Sequence, residues 1–257
     1  VLKQLRIEKM GFSLLTILSI ATVIPIIAVV IYIIYLGAPA ISWEFVTAMP
    51  SEGMRAGGIW PAIVGTFYLT IGTAIFSVPL GIAAAIYLSE YAPMNKVTQT
   101  IRLAIINLAG IPSVVYGLFG LGLFVIFLNF GTSILSASLT LSIMTLPVII
   151  STTEEALRAV PQSFRVVSVS LGATKWQTIW RLVLPQAIPG ILTGVVLGLE
   201  RAAGETAPIL FIASVFAKTA PDSIFDGFLA LPVTIFFWTR HPKVQFQNLA
   251  ASTIIVL

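Results

Sequence analysis

Gly190-Ile191-Leu192-Thr193-Gly194-Val195-Val196-Leu197-Gly198-Leu199-Glu200-Arg201-Ala202-Ala203-Gly204-Glu205-Thr206-Ala207-Pro208 sets two glutamates and an arginine near the middle of an apolar stretch, 187–213. The stretch is long enough to cross a membrane, which takes about 20 apolar residues for about 30 Å of hydrocarbon. A charge inside such a span costs at least about 2.5–3.5 kcal/mol, so these groups are expected to face a bundle interior or an aqueous path. At about 100° per residue, Gly190, Gly194, Gly198, Arg201 and Glu205 share a sector of ~80° on one helix face, and the glycines leave room for a neighbouring helix. Arg201 and Glu205 stand one helical turn apart and can pair, while Glu200 projects about 100° away toward another neighbour. Two readings follow: a structural ion pair that locks helices together, or a charged gate or binding patch on a translocation path. For the second, a guanidinium offers a planar fork of donors that fits an oxyanion. The carboxylate can accept a proton from hydrogenphosphate, which sulfate cannot supply at neutral pH.

The rest of the chain reads the same way. Its 257 residues are 58% hydrophobic and 9% charged, with a mean hydropathy of +1.02. A soluble domain carries roughly 25% charged residues, so lipid is the expected solvent. Six apolar stretches lie at about 11–36, 62–89, 104–128, 133–153, 187–213 and from 247 onward. The first lacks a signal-peptide cleavage pattern and is expected to be a retained span. The sixth is expected to continue past Leu257. Each should be helical, because an unpaired backbone group in hydrocarbon costs several kcal/mol. The fold class is therefore all-α and polytopic, with kinks expected at Pro25, Pro79, Pro112 and Pro147. The chain has no cysteine and a single histidine, His241, so neither a disulfide framework nor a metal site is expected. No G-x-x-x-x-G-K-[ST] occurs, so no phosphate loop for ATP is expected. The basic residues form no patch suited to nucleic acid.

Orientation follows from where the basic residues sit. Lys3, Arg6, Lys9, Lys96, Arg102, Arg158, Arg165, Lys175 and Arg181 fall on one side, and Arg55, Lys218, Arg240 and Lys243 on the other. The positive-inside rule places the N-terminus and the segment 154–186 in the cytoplasm. Residues 37–61 and 214–246 are then external loops with interfacial aromatics such as Trp43, Trp60 and Trp238. Within 154–186, Glu154 to Pro161 extends span four. Ser163 to Leu171 forms a short helix, Gly172 supplies the turn, and Ala173 to Val183 is amphipathic through Trp176, Ile179, Trp180 and Val183. Such a hairpin is either an interfacial element or a docking element for the groove of a cytoplasmic partner.

Leu171-Gly172-Ala173-Thr174-Lys175-Trp176-Gln177-Thr178, followed by Leu182-Val183-Leu184-Pro185, resembles the coupling loop of binding-protein-dependent ABC permeases. That pattern runs E-A-A, three residues, Gly, nine residues, I-x-L-P. The chain departs at its start, where Val166-Val167-Ser168 stands in place of E-A-A, so a carboxylate that helps seat the loop is missing. Arg201-Ala202-Ala203-Gly204-Glu205-Thr206-Ala207-Pro208 is similar to a segment of PstA-type permease subunits of bacterial phosphate importers. Gly57-Gly58-Ile59-Trp60-Pro61-Ala62-Ile63 and Ala109-Gly110-Ile111-Pro112-Ser113-Val114-Val115-Tyr116-Gly117-Leu118-Phe119 agree with it.

The resemblance implies a six-helix, MetI-like permease domain in the bacterial inner membrane, with Val1 to residue 54 as an N-terminal span and loop and 55–257 as the permease core. It implies ATPase coupling through Leu171, Gly172, Ala173, Thr174, Lys175 and Trp176, and a translocation role for Arg201, Glu205 and Glu200. Pro112, Ser113 and Tyr116 are candidate gate residues where span three bends, or plain kink packing. The partners implied are a PstC-like second permease subunit, two PstB-like ATPases and a PstS-like external phosphate-binding protein. The chain itself would hold no cofactor, ATP being bound by the partner. A permease for sulfate or molybdate is the nearest alternative, and an intramembrane enzyme acting on lipid phosphates is a more distant one. The spans lack histidine and aspartate, which weighs against the enzyme.

Overall fold

Eleven α-helices, five short 3₁₀ or π segments and one two-residue ladder account for most of the chain described by the computed structural model, which covers residues 2–51, 56–213 and 219–257. Arg55, Lys218 and the 54/55 boundary expected from the sequence lie outside the described residues. Contacts gather the chain into two compact units, Val1–Gly58 with Ile235–Leu257, and Ile59–Thr234.

The first unit opens with α1 (Leu2–Gly37), which runs unbroken through Pro25 and leaves every side chain from Gly11 to Tyr32 exposed. A helix apolar all round is suited to lipid or to another subunit, not to water. A single 3₁₀ turn leads to α2 (Trp43–Thr47), capped by the Ser42 hydroxyl, and then to β1 (Pro50–Ser51) paired antiparallel with β2 (Ala56–Gly57).

In the second unit, α3 (Trp60–Ile86) passes through Pro79 and closes in a wide π turn, Tyr87–Tyr91. It is followed by α4 (Lys96–Ala109), α5 (Ser113–Gly120, prolonged as a π turn to Phe127) and α6 (Ile134–Ala159). Next come α7 (Gln162–Ser170), α8 (Lys175–Thr178) and α9 (Leu184–Gly204), the last two joined through the π turn Ile179–Val183. Helix α10 (Leu231–Thr239) begins in this unit and ends in the first. There α11 (Val244–Val256) approaches α1 so closely that a β-carbon at Gly37 would lie 2.6 Å from the Ala251 backbone.

Helix α6 is the centre of the second unit, packed on α3 and α9. Its seam is small and hydroxylated: Ser138 and Ser142 donate to the carbonyls of Leu69 and Thr73 on α3, at 3.4 and 3.2 Å. Gly72 faces Ser138, Gly194 faces Thr152, and Gly198 faces Thr145 and Ile149, each too close for a larger side chain to enter without displacing its neighbour. Between helices in lipid the hydrophobic effect supplies no driving force, so close packing and hydroxyl–carbonyl bonds do that work. The sector of α9 glycines read from the sequence is this contact with α6.

Three expectations need correction. The third stretch is not one kinked span over 104–128. α4 starts at Lys96, and α4 with Ser113–Phe127 is bent by 98°. Gly110 closes α4, and Pro112 has no N–H to continue the ladder and holds Ile111 out of helical geometry. Span five ends at Gly204, earlier than residue 213, and begins much earlier, since Lys175–Gly204 is one 30-residue apolar helix. Arg201 therefore sits in its last turn and not at its middle. Finally, 214–246 is not wholly an exposed loop. Phe228 to Leu231 and Val233 are buried, the Leu231 N–H donates to Thr66 Oγ1 at 2.9 Å, and Trp238 is buried as well. Among the described residues, four helices are long and apolar enough to cross a membrane, or five if the bent pair forms one span; α11 is shorter.

Candidate translocation site and coupling hairpin

The last turn of α9 delivers Arg201, and Glu205 follows at its C-cap with extended backbone, ψ 129°. Although Glu205 has left the helix, Arg201 Nε still donates to its Oε1 at 3.3 Å. The two ends of this pair differ: the Glu205 side chain is 16% exposed and that of Arg201 51%. The guanidinium thus keeps open donors next to an otherwise apolar wall. Glu200 is exposed and pairs with none of the described residues.

The break between α4 and α5 meets this end of α9. A β-carbon on Gly117 would lie 2.6 Å from Cα of Pro208, so α5 rests directly on the turn that follows Glu205. Tyr116 is buried in the same apolar cluster as Ala202 and Ile209 of that region, with Ile111 packed against it. Its hydroxyl donates across the bend to the Leu108 carbonyl at 2.8 Å. The tertiary structure therefore sets Tyr116 and Gly117 against the region that carries Arg201 and Glu205, while Pro112 and Ser113 stand at the start of the same helix, α5. Chemically the arrangement is a fixed carboxylate, a half-open guanidinium and a buried phenol at a helix break, suited to transient contact with an oxyanion.

The hairpin residues lie at the other end of α9, and Lys175 and Arg201 are about 40 Å apart at 1.5 Å per residue. Gly172 has φ +85°, and its N–H bonds the Val169 carbonyl at 2.9 Å, so it reverses the chain after α7 in a conformation that L side chains resist. Thr174 then starts α8 with a capping box: its hydroxyl accepts from Gln177 N–H, and Gln177 Oε1 accepts from Thr174 N–H. Ser168 and Thr178 hydroxyls, 2.9 Å apart, close the hairpin. The amphipathic expectation divides as read, with Ile179 and Val183 buried and Trp176 and Trp180 exposed. Leu171 at 84% and Trp176 at 59% exposure leave the hairpin with an apolar tip.

Sequence reasoning missed what anchors this hairpin. From the sequence Arg165 is only one of the orienting charges. It reaches Glu90 in the π turn after α3 with two bonds, Nη2–Oε1 at 2.6 Å and Nε–Oε2 at 3.3 Å. It also donates to the Val160 and Leu157 carbonyls at 2.8 Å, where α6 ends. Nearby, Glu154 holds both Arg102 and Arg158. A carboxylate closing span two beside an arginine just past Pro161 is a weak signal at a separation of 75 residues.

Comparisons with known proteins give the family and the fold. The family model described as binding-protein-dependent transport system inner membrane component matches residues 77–239. The chain is similar to the phosphate transport system permease protein PstA of Mycobacterium leprae, with 40% identity over 215 residues, 81% of this chain and 69% of that protein. It is also similar to the probable ABC transporter permease protein YqgI of Bacillus subtilis, 36% identical over 77% of this chain and 72% of that one. In fold it is similar to a chain of the inward-facing MetNI methionine ABC transporter, with a TM-score of 0.62 at 18% identity, covering 80% of this chain and 92% of the other.

Proposed function

This chain belongs to the family of binding-protein-dependent transport system inner membrane components, and from that premise we propose that it is the permease subunit of an ATP-driven phosphate importer. It forms half of a path that a second, PstC-like permease subunit completes. The observation that carries this reading is the Arg201–Glu205 pair, with an accessible guanidinium at the end of a membrane-length helix. Relatives whose names specify phosphate transport, at 33–40% identity, support the substrate. The chain is a permease subunit and not an enzyme; hydrolysis belongs to an ATPase partner, and an external binding protein delivers the cargo.

On this reading the α7–α8 hairpin is cytoplasmic and its apolar tip, Leu171, Gly172 and Trp176, seats in a PstB-like ATPase. Without the E-A-A carboxylate, docking relies on shape and apolar contact. The Arg165–Glu90 link then passes hairpin movement to the end of α3, and the continuous helix Lys175–Gly204 passes it to Arg201. An oxyanion entering from a PstS-like binding protein displaces Glu205 from some of the guanidinium donors, and a shared proton offsets the repulsion between carboxylate and phosphate. The experiment is uptake of radiolabelled phosphate into proteoliposomes holding the chain with its co-expressed permease and ATPase subunits. ATP-dependent uptake of phosphate, with sulfate and molybdate excluded, is expected. Uptake of sulfate or molybdate in its place overturns the substrate while leaving the family intact.

A further inference from the structure

At the hairpin end of the second unit, far from Arg201, lies a cavity of about 1110 Å³ between the turn after α3, the start of α4 and the hairpin. Lys96, Arg102, Arg158, Arg165 and Lys175 all line it. Glu90 faces Arg165 there, and Glu154 faces Arg102 and Arg158. Two carboxylates thus answer five cations, leaving an excess of three positive charges. Lys96 is exposed with no ion pair among the described residues, and the Lys175 ammonium rests 5.0 Å from the Tyr91 ring centroid with no carboxylate partner. The 14-residue α4 begins in the same wall, its first turn capped by Asn95 Oδ1, which accepts from Thr98 N–H at 2.9 Å. Its positive dipole end adds to the field. Cations are costly to gather in a cleft without an anion to meet them.

The rim supplies a second observation. Met94 lines the cavity fully exposed, and Val97 and Ile101 continue an exposed apolar strip along α4. A cationic cleft that runs onto an apolar strip matches a phosphorylated headgroup with an acyl chain beside it. We propose that this cavity binds a phosphate group, and that its source is the headgroup of an anionic phospholipid. The assignment rests on the proposed function only in placing this end of the helices at a membrane face. Binding is read without transport, so either can fail without the other.

The test uses the purified complex containing this chain, equilibrated with vesicles of phosphatidylglycerol and phosphatidylcholine, with retained lipid identified by mass spectrometry. Enrichment of phosphatidylglycerol is expected, falling about fivefold in Lys96→Gln and further in Lys96→Glu/Lys175→Glu. Elution of the complex as a single species controls for folding, and Lys96→Gln, at an exposed position, is the variant least able to disturb it. A parallel arm measures radiolabelled inorganic phosphate. Phosphate binding that the same substitutions abolish, with no lipid enrichment, keeps the phosphate site and replaces the lipid by the free ion. No binding of either, or binding equal in wild type and both variants, overturns the proposal.

Discussion

At the scale of single residues the proposed function turns on Arg201 and Glu205, whose pairing alone does not distinguish scaffold from transport element. Buried ion pairs often stabilise no better than well-packed apolar residues, whereas removing one partner leaves a stranded charge. The double substitution Arg201→Gln/Glu205→Gln removes both charges at once and separates the readings. With Arg201 meeting the anion in transit, phosphate uptake falls below detection while the complex assembles normally in pull-downs. Near-normal uptake by the double variant would return the pair to a structural role. The half-exposed guanidinium favours the first outcome, since a lock between helices gains nothing from open donors. This pair was legible because its partners are one helical turn apart in sequence. Glu90 and Arg165 were not, because their meeting depends on how α3, α6 and α7 pack.

Among the elements, the α7–α8 hairpin is built to hold one shape. Gly172 sits at positive φ with open space around it, so a substitution there acts through backbone strain and through whatever the tip touches, not through a clash within the chain. Gly172→Asp is expected to leave the protein in the membrane yet uncouple it: ATP hydrolysis by the complex continues while uptake is lost. Cysteines at positions 172–176 should crosslink to the co-expressed ATPase; if none does, the hairpin is not the coupling element. The helices around the break teach a different lesson. The sequence marked Pro112 as a kink, but whether a proline bends a helix or ends it depends on what stands beside it. Pro25, Pro79 and Pro147 lie within continuous helices, whereas Gly110 two residues before Pro112 lets the ladder close and the chain turn by 98°.

For the whole molecule the testable property is orientation. Nine basic residues against four predict that the hairpin side is cytoplasmic. Because the chain has no cysteine, single cysteines report cleanly. A membrane-impermeant thiol reagent applied to intact cells should label Ser223→Cys and spare Ser163→Cys, both positions being exposed. The reverse pattern would invert the topology and with it the assignment of the hairpin to an ATPase.

Composition and periodicity by themselves determined that this is a helical membrane protein, roughly which stretches are apolar helices, and which charged residues beside them call for a function. Those properties depend on solvent and on local spacing, which a linear chain displays directly. The short motifs around Gly172 and Arg201 determined the family resemblance for the same reason. The tertiary structure alone decided that α9 ends at Gly204, that Phe228 to Leu231 pack inside, and that Tyr116 and Gly117 close on the turn after Glu205. It also decided which five cations share one cavity. Each of these turns on contacts between residues far apart in sequence. There, the fit of a glycine against a backbone or of a carboxylate between two arginines outweighs the hydropathy of the segment that carries it.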